Sequence, residues 1–434
     1  MMYLFLIIFH IFLGGCNIIL RLFSNAINFV TDAINNYILH RNNRFNRGVK
    51  EQPLTKYSDM FNNINSDDNV IISGGEKTNR ANLLTEAVVK TNKQLPIIIL
   101  HESDTYLENK VKSSLSSAAV VINKKNPTYN PFVNLSYNQI EKIIYDVAKN
   151  EFNLTYKAGY TIRAICDIIR LLGQKPSLGI FSTCPFYNTL FDKVQILFDK
   201  GIINHDKLDE LKSNLLKGQD EFSALEAFFQ NLKFQARHII VKNSSNYIDI
   251  INQMHNNKVI LIDINSSENK LLINTILSQL NLVNKKYCIM LDNVSINDNQ
   301  DLLKIISNKT DKRTVVLSSS DIYANICDSN TNLFSTLVGN SKMNLIMKHY
   351  SASSSQSWSD LIGNYEKIET DKTYSQGKSN GGIFLFPTYN SNSSTHFYTR
   401  KEEILKPQVI QKLNENEIYI FSENNIVHTH ICEN

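Results

Sequence analysis

The chain has 434 residues, 42% of them hydrophobic and 20% charged, with a formal net charge of +4. That length leaves room for roughly two or three domains, and the composition excludes a disordered or low-complexity chain. So small a net charge gives no argument by itself for a nucleic-acid partner.

The N-terminus is the most apolar part. Met2 to Leu20, "MYLFLIIFHIFLGGCNIIL", is interrupted only by His10 and Asn17 and is about the ~20 residues a helix needs to span a bilayer. Arg21, Arg41, Arg44, Arg47 and Lys50 follow it and almost nothing basic precedes it, so the positive-inside rule places the bulk of the chain in the cytoplasm. Two other readings stand beside this one. "LGGC" ending at Cys16 resembles a lipoprotein cleavage site, although a basic leader is missing and the apolar run continues past the cysteine. A buried core helix also fits. From Leu22 to Leu39 apolar residues recur at helical spacing, as for a helix lying on the membrane surface or a weak second membrane segment. The six cysteines, Cys16, Cys166, Cys184, Cys288, Cys327 and Cys432, form no C-x-x-C pair, which fits reduced thiols rather than a disulfide framework.

Arg41 to Asp68 is polar and reads as a linker or peripheral turn region. Val70–Ile72 is a short strand that runs into Ser73-Gly74-Gly75, and Asn79 to Lys90 has helical periodicity through Leu83, Leu84, Ala87 and Val88. "PIIIL" (Pro96–Leu100) and "AAVVIN" (Ala118–Asn123) are continuous apolar runs typical of strands buried on both faces. The order β-α-β-α-β predicts a parallel sheet. From Ser136 to Arg237 helical patterns take over, at Gln139–Lys149, Thr161–Leu172, Tyr187–Asp199, Lys207–Leu216 and Phe222–Phe234. Strands return at His238–Val241, Val259–Ile264, Tyr287–Asp292, Thr314–Ser318 and Asn344–Lys348, with a helix at Leu271–Leu282 between them. Ser351 to Gly382 reads as a loop holding one short helix around Trp358–Leu361, and Tyr398 to Phe421 as a turn, a short helix and the strand "IYIF".

The stretch "NVIISGGEKTNRANLL" (Asn69–Leu84) has the outline of a phosphate-binding loop: strand, glycine pair, Lys-Thr, helix. In such a loop backbone N–H groups cradle phosphate, the lysine reaches the β/γ-phosphates and the hydroxyl binds Mg²⁺. Placing Lys77-Thr78 as the final pair puts Glu76 at the last loop glycine and Ile71 at the first, and a carboxylate there repels phosphate. A second register sets Arg80 in the lysine position with Gly74 first, but then Ala81 offers no hydroxyl. Lys77-Thr78 is the preferred register. A second element, "YCIMLDN", ends an apolar strand in Asp292, where a nucleotide motor holds Mg²⁺. Asn293 stands where the glutamate would polarise the attacking water, and an amide cannot act as a general base.

The order of these pieces resembles the type IV secretion coupling proteins, the TraG/TraD-like conjugative DNA-transfer ATPases related to FtsK-type translocases. "KTNRANLL" is similar to their first helix, "IIILHESDTYL" (Ile97–Leu107) to a strand and its following turn, and "NPTYNPF" (Asn126–Phe132) to a Tyr-Asn-Pro-Leu motif before the helical domain. "TVVLSSSDIYANI" is similar to the sensor strand, with Ser318–Ser320 where that family has a glutamine. "YTRKEEILKPQVIQKLNENEIYIF" (Tyr398–Phe421) resembles its C-terminal pattern. The resemblance spans roughly residues 50 to 425.

It implies a RecA-like P-loop NTPase fold, α/β with a parallel sheet, an all-α insertion and an N-terminal membrane helix. The implied division is 1–50 membrane anchor and juxtamembrane helix, 51–135 first NTPase-like part, 136–237 insertion, and 238–434 second NTPase-like part with the C-terminal segment. It implies ATP and Mg²⁺ held by Gly74, Gly75, Lys77, Thr78 and Asp292, with Thr78 and Asp292 on the metal. Because loop glycine, strand glutamate and sensor glutamine are all replaced, binding is expected to be weak and hydrolysis weak or lost. The alternative is a pseudo-ATPase scaffold or receptor that recruits substrate or regulates an active paralogue. An active enzyme would need a carboxylate from elsewhere, such as Asp298 or Glu102. The implied partners are secretion-channel components, a DNA or DNA–protein substrate, the bacterial inner membrane, and either copies of itself in a hexamer or an active paralogue.

Four further features carry weaker signals. His428, His430 and Cys432 alternate in "HTHIC" with metal-ligand spacing, against a frayed terminus as the simpler reading. Lys304, Lys309, Lys312 and Arg313 form a basic cluster suited to DNA or to solvent. Arg237-His238 sits where a cation favours a helix end. Trp358 is read as packing rather than as a base-stacking platform.

Overall fold

The computed structural model describes residues 2–434 except 63–64, 66–67, 150, 184–186, 241–246, 265–268, 296–298, 309–311, 380–387, 423–424 and 433–434. The side chains of 372–395 and of much of 2–21 also lie outside the described residues. The chain divides into two compact units, Met1–Glu51 with Trp358–Val409, and Gln52–Ser357 with Ile410–Asn434.

The larger unit is built on a ten-stranded sheet. Its strands are β1 (Val49–Lys56, from Gln52 onward in this unit), β2 (Val70–Ser73), β3 (Ile97–His101), β4 (Ala119–Ile122) and β5 (Val259–Asp263). They continue with β6 (Tyr287–Asp292), β7 (Arg313–Ser319) and β8 (Met343–Ile346). The smaller unit holds β9 (Asn364–Ser379) and β10 (Thr388–Glu403), and the sheet is completed by β11 (Glu417–Ser422) and β12 (Asn425–Cys432). The order across it is β1-β12-β11-β8-β2-β7-β6-β3-β5-β4. From β8 to β4 every neighbouring pair is parallel, while β11 joins β8 and β12 antiparallel.

Strands of a parallel sheet covered on both faces are apolar over most of their length. Ile97 to Leu100 of β3 and Val259 to Ile262 of β5 are fully buried. The helix Lys77–Asn92 packs Leu83, Leu84, Ala87 and Val88 into the same core as β2, β3, β6 and β8. Between β4 and β5 the chain is helical at Tyr137–Ala148, Ala158–Leu171, Tyr187–Asp199, His205–Lys217 and Phe222–Gln235, as the periodicity indicated. Ser136 and Gln139 form a reciprocal capping box at the first of these.

Several local expectations are corrected. His238–Ile240 is not a strand: Ile239 and Ile240 both donate to the Ala236 carbonyl in turns that continue the preceding helix, and Val241 lies outside the described residues. Arg41–Asp68 is not a linker, since it contains the end of a helix, β1 and the turn of helix Tyr57–Met60, whose Tyr57 and Met60 are buried. The stretch Ser351 to Gly382, read as a loop, holds the helix Ala352–Ile362 and all of β9. "HTHIC" is not a frayed end but part of β12.

In the smaller unit, one helix runs from Met2 to Arg47. Its C-terminal part is fixed by a reciprocal pair of bonds, Asn43 Nδ2 to the Ile368 carbonyl and the Ile368 N–H to Asn43 Oδ1, each 2.8 Å. Arg47 Nε adds a bond to the Ile404 carbonyl at 2.7 Å. β9 and β10 pair antiparallel along all sixteen residues of each. Among the described residues no helix is long and apolar enough to cross a membrane; most side chains of the Met2–Leu20 segment, Cys16 included, are outside that set.

Candidate nucleotide-loop site

The site lies where β2, β3, β6, β7 and β8 end, the edge at which parallel α/β sheets bind ligands. β2 ends at Ser73, and Gly74 and Gly75 turn the chain into the helix that begins at Lys77 with Glu76 as N-cap. Both glycines have positive φ, +87° and +67°, a region that costs an L-residue about 1–2 kcal/mol.

The glycines are also pressed against the chain leaving β8. A Cβ on Gly74 would lie 2.7 Å from the Lys348 carbonyl oxygen and 2.9 Å from that of Met347; on Gly75 it would lie 2.7 Å from the Met347 Sδ. The Gly74 N–H donates to the Ser319 carbonyl at 3.0 Å and the Gly75 N–H to the Lys348 carbonyl at 2.8 Å. The two amides that would open a phosphate cradle are therefore bonded to the ends of β7 and β8. This explains the glycine pair by close packing, without a ligand.

Below the loop is a buried polar clamp. Ser73 Oγ lies 3.2 Å from His349 Nε2 and accepts the Ile322 N–H at 3.3 Å. His349 Nδ1 is 3.9 Å from Asp321 Oδ2, which also accepts from Ser354 Oγ at 2.5 Å. The serine–histidine–aspartate order resembles that of a hydrolase, but Ser73 is 0% and His349 1% exposed. Both side chains are closed off from solvent, and the clamp ties strand ends together.

Of the residues expected to hold nucleotide, Lys77 and Thr78 are exposed, and Lys77 Nζ lies 3.6 Å from Asp104 Oδ2. Asp292 is buried at the end of β6 and accepts from Ser318 Oγ at 2.7 Å. Burial pushes its carboxyl above the usual range, against the Ser318 hydroxyl and the charge of Arg80. The buried cation is Arg80. Its Nη1 donates to the Gly75 carbonyl at 2.6 Å and the Gly74 carbonyl at 3.4 Å. Burial lowers its pKa, opposed by Asp292 and then Asp104, and a guanidinium stays charged throughout. Arg80 thus supplies positive charge near Asp292, where a nucleotide motor would place Mg²⁺. Three features of the arrangement oppose a Mg²⁺–nucleotide: the Gly74 and Gly75 amides are used, Glu76 stands at the position of a glycine, and a cation of the chain is already present.

Asn293 has φ +54°, and its N–H donates to the Ser318 carbonyl at 2.7 Å. Of the sensor-position serines, Ser318 holds Asp292, and Ser319 and Ser320 accept from Asn325. Glu102 is half-buried beyond β3, with its carboxyl raised by burial and Asp263; Asp298 lies outside the described residues. Next to Asp292 in register is His101, whose Nδ1 accepts the Asp104 N–H at 3.2 Å and whose Nε2 is 3.5 Å from Glu108 Oε1. Burial holds His101 down at about 4, against the raising effect of Asp263 and Asp104. The sequence reading missed His101, Asp104, Asp321 and His349. Only Asp104 carried a signal, as an N-cap that accepts from the Leu107 N–H at 2.9 Å.

The weaker candidates separate. His428 stacks on Tyr419 at 4.6 Å, His430 Nε2 lies 3.6 Å from Glu417, and Cys432 Sγ is 3.9 Å from the Thr55 carbonyl. Among the described residues no group of three or more His, Cys, Asp or Glu is placed to hold a metal ion. Lys304 pairs with Asp301 at 3.5 Å and Arg313 Nε donates to the Ile305 carbonyl at 3.4 Å; Lys309 is outside the described residues. His238 Nε2 lies 2.7 Å from the Asp263 carbonyl, and Trp358 is fully buried.

The fold so assembled, α/β with a mainly parallel sheet and the nucleotide-loop position at the strand ends, is a P-loop ATPase fold of the TrwB type. The plasmid coupling protein TrwB in complex with the non-hydrolysable ATP analogue ADPNP matches with a TM-score of 0.50 at 13% identity, over 89% of this chain and 91% of that one. The unbound monoclinic form of the bacterial conjugative coupling protein TrwBdeltaN70 matches with a TM-score of 0.49 at 12% identity, over 87% and 91%. VirB4 of Thermoanaerobacter pseudethanolicus matches with a TM-score of 0.46 at 9% identity, over 84% and 89%. No protein-family model and no curated protein matches.

Proposed function

We propose that this chain is a coupling-protein-like component of a conjugative or type IV secretion apparatus in which the ATPase fold serves as a scaffold, with hydrolysis weak or lost. The observation that carries the second half is the double use of the loop: its amides bond to β7 and β8, while Arg80 bonds its carbonyls. A Mg²⁺–nucleotide held by Gly74, Gly75, Lys77, Thr78 and Asp292 would require breaking those bonds first. The first half is supported by the fold likeness to a plasmid coupling protein over most of both chains. On this reading Met2–Leu20 anchors the protein in the bacterial inner membrane with a cytoplasmic body. It recruits a DNA or DNA–protein substrate to secretion-channel components, or regulates an active paralogue. The test is hydrolysis by the full chain with and without DNA. Background rates in both, with capture of a channel component or an active paralogue, support the scaffold; DNA-stimulated turnover contradicts it.

A further inference from the structure

In the larger unit a cavity of about 420 Å³ opens between the helices Tyr137–Ala148, Lys270–Leu280 and Gln300–Ser307 and the start of β7, a volume suited to a small ligand. It is remote from the nucleotide loop. Arg313 on its wall begins β7, and Ser319, whose carbonyl accepts the Gly74 N–H, ends it; at ~3.3 Å per strand residue roughly 20 Å separates the two. Two polar groups on the cavity wall are unmatched. Asn274 and Ser278 stand one turn apart on the helix Lys270–Leu280 and are 6% and 5% exposed. Among the described residues neither Asn274 Oδ1 nor Ser278 Oγ has a hydrogen-bond partner. The polar side chains that leave this helix in other directions are satisfied: Thr275 donates to the Leu271 carbonyl at 2.7 Å, and Gln279 accepts from the Tyr129 hydroxyl and donates to the Pro131 carbonyl, each at 3.0 Å. An unmatched buried polar group lowers stability, and here both line one cavity. A ligand edge with a donor and an acceptor completes both once the Asn274 amide and the Ser278 hydroxyl rotate towards it.

The remaining walls supply a flat face and charge. Half-buried Tyr145 offers its ring, with Lys149 Nζ 5.6 Å from the ring centroid. Arg313 is held by its Nε bond to the Ile305 carbonyl at 3.4 Å and by the Tyr287 hydroxyl, which leaves most of its five N–H donors available. Lys149, Lys304 and Arg313 against Asp146 and Asp301 give the lining a net charge of three minus two, +1. Inorganic phosphate would meet the cations and leave Asn274 and Ser278 unmatched. A neutral sugar would do the reverse. A flat ring with a donor–acceptor edge, joined to one anionic group, meets all three features, and an asparagine amide is a familiar partner for a base edge. A polyanionic strand or a triphosphate carries more charge than the lining balances and would be repelled by Asp146 and Asp301.

We propose that this cavity binds a nucleoside monophosphate, with the base edge on Asn274 and Ser278, the ring against Tyr145 and the phosphate among Lys149, Lys304 and Arg313. The site is separate from the nucleotide loop and does not depend on whether that loop binds ligand. The test is calorimetric titration of the full chain with the ribonucleoside 5′-monophosphates, with orthophosphate and with a short single strand of DNA. At least one monophosphate is expected to bind saturably at submillimolar concentration, and orthophosphate is not. Asn274→Leu and Ser278→Ala are each expected to weaken that binding about tenfold, the worth of one hydrogen bond. Asn274→Leu exchanges an unmatched polar group for an apolar one of similar size, so the free chain is expected to melt no lower than before. Lys304→Gln, at a side chain 68% exposed, leaves the core untouched and is expected to weaken binding of the monophosphate but not of the parent nucleoside. The proposal is overturned if no monophosphate binds, if orthophosphate binds as well, or if Asn274→Leu and Ser278→Ala leave binding unchanged. Tighter binding of the DNA strand that the same variants remove assigns the cavity to nucleic acid, and binding that Lys77→Ala removes assigns the ligand to the loop; either result overturns it too.

Discussion

Arg80 Nη1 donates to the carbonyl of Gly75 at 2.6 Å, a bond from the fourth residue of a helix back to the loop that precedes it. In a phosphate-binding loop the cation faces the ligand; here it faces the backbone and shares its charge with buried Asp292.

Arg80→Ala removes charge-assisted bonds and leaves Asp292 buried without its cation. A loss of about 1.5–3 kcal/mol is expected, the typical worth of hydrogen bonds made by a charged group. Urea denaturation checks it, with Lys77→Ala as the contrast. The Lys77 side chain is 51% exposed, so that variant is expected to change stability by less than about 1 kcal/mol.

Gly74→Ala and Gly173→Ala separate close packing from backbone strain. Both positions have positive φ, but a Cβ at Gly173 meets nothing within 4 Å, whereas one at Gly74 meets the Lys348 carbonyl at 2.7 Å. Strain alone costs about 1–2 kcal/mol, and overpacking adds ~1–3 kcal/mol. Thermal unfolding is expected to show Gly74→Ala as clearly the worse of the two.

His101 gives the loop region a pH dependence. Its folded pKa is depressed to about 4 from 6.5, chiefly by burial, so between these values the unfolded chain binds more protons than the folded one. Stability therefore rises with pH through that window and is lost as pH falls from 6.5 towards 4. The raised carboxyls of Asp292 and Glu108 act in the opposite sense at acid pH. The check is a difference: between pH 4 and 6.5 the stability of His101→Asn is expected to depend less steeply on pH than that of the unsubstituted chain.

Restoring the missing catalytic residues is expected to restore nothing. Asn293→Glu supplies a general base, worth ~10²–10⁴-fold where substrate is bound, and Glu76→Gly removes a repulsive charge. Neither frees the amides of Gly74 and Gly75 from Ser319 and Lys348, so phosphate release by the double variant is expected to stay at background.

The sequence was informative where one physical signal dominated. The buried runs at Ile97–Leu100 and Tyr287–Asp292, and the helix Tyr187–Asp199, announce themselves by continuous or periodic apolarity. It failed where signals were absent or shared. β9 pairs along "NYEKIETDKTYSQGKS", which has no apolar face to mark a strand. His238–Ile240 is apolar and β-branched, yet two N–H groups turn back to Ala236, a choice that a short apolar run does not determine. At the loop, spacing favoured Lys77-Thr78, while burial selected Arg80, the residue of the second register; fit within the fold decided which cation was buried.

The central claim is that the loop is closed on its own chain. Calorimetric titration of the full chain with Mg-ATP and Mg-ADP, with Lys77→Ala as control, tests it most directly. The account predicts no binding at micromolar nucleotide and no difference between the two chains. Micromolar binding that Lys77→Ala abolishes would contradict it, because the loop would then open to phosphate in the register that Lys77 and Thr78 define.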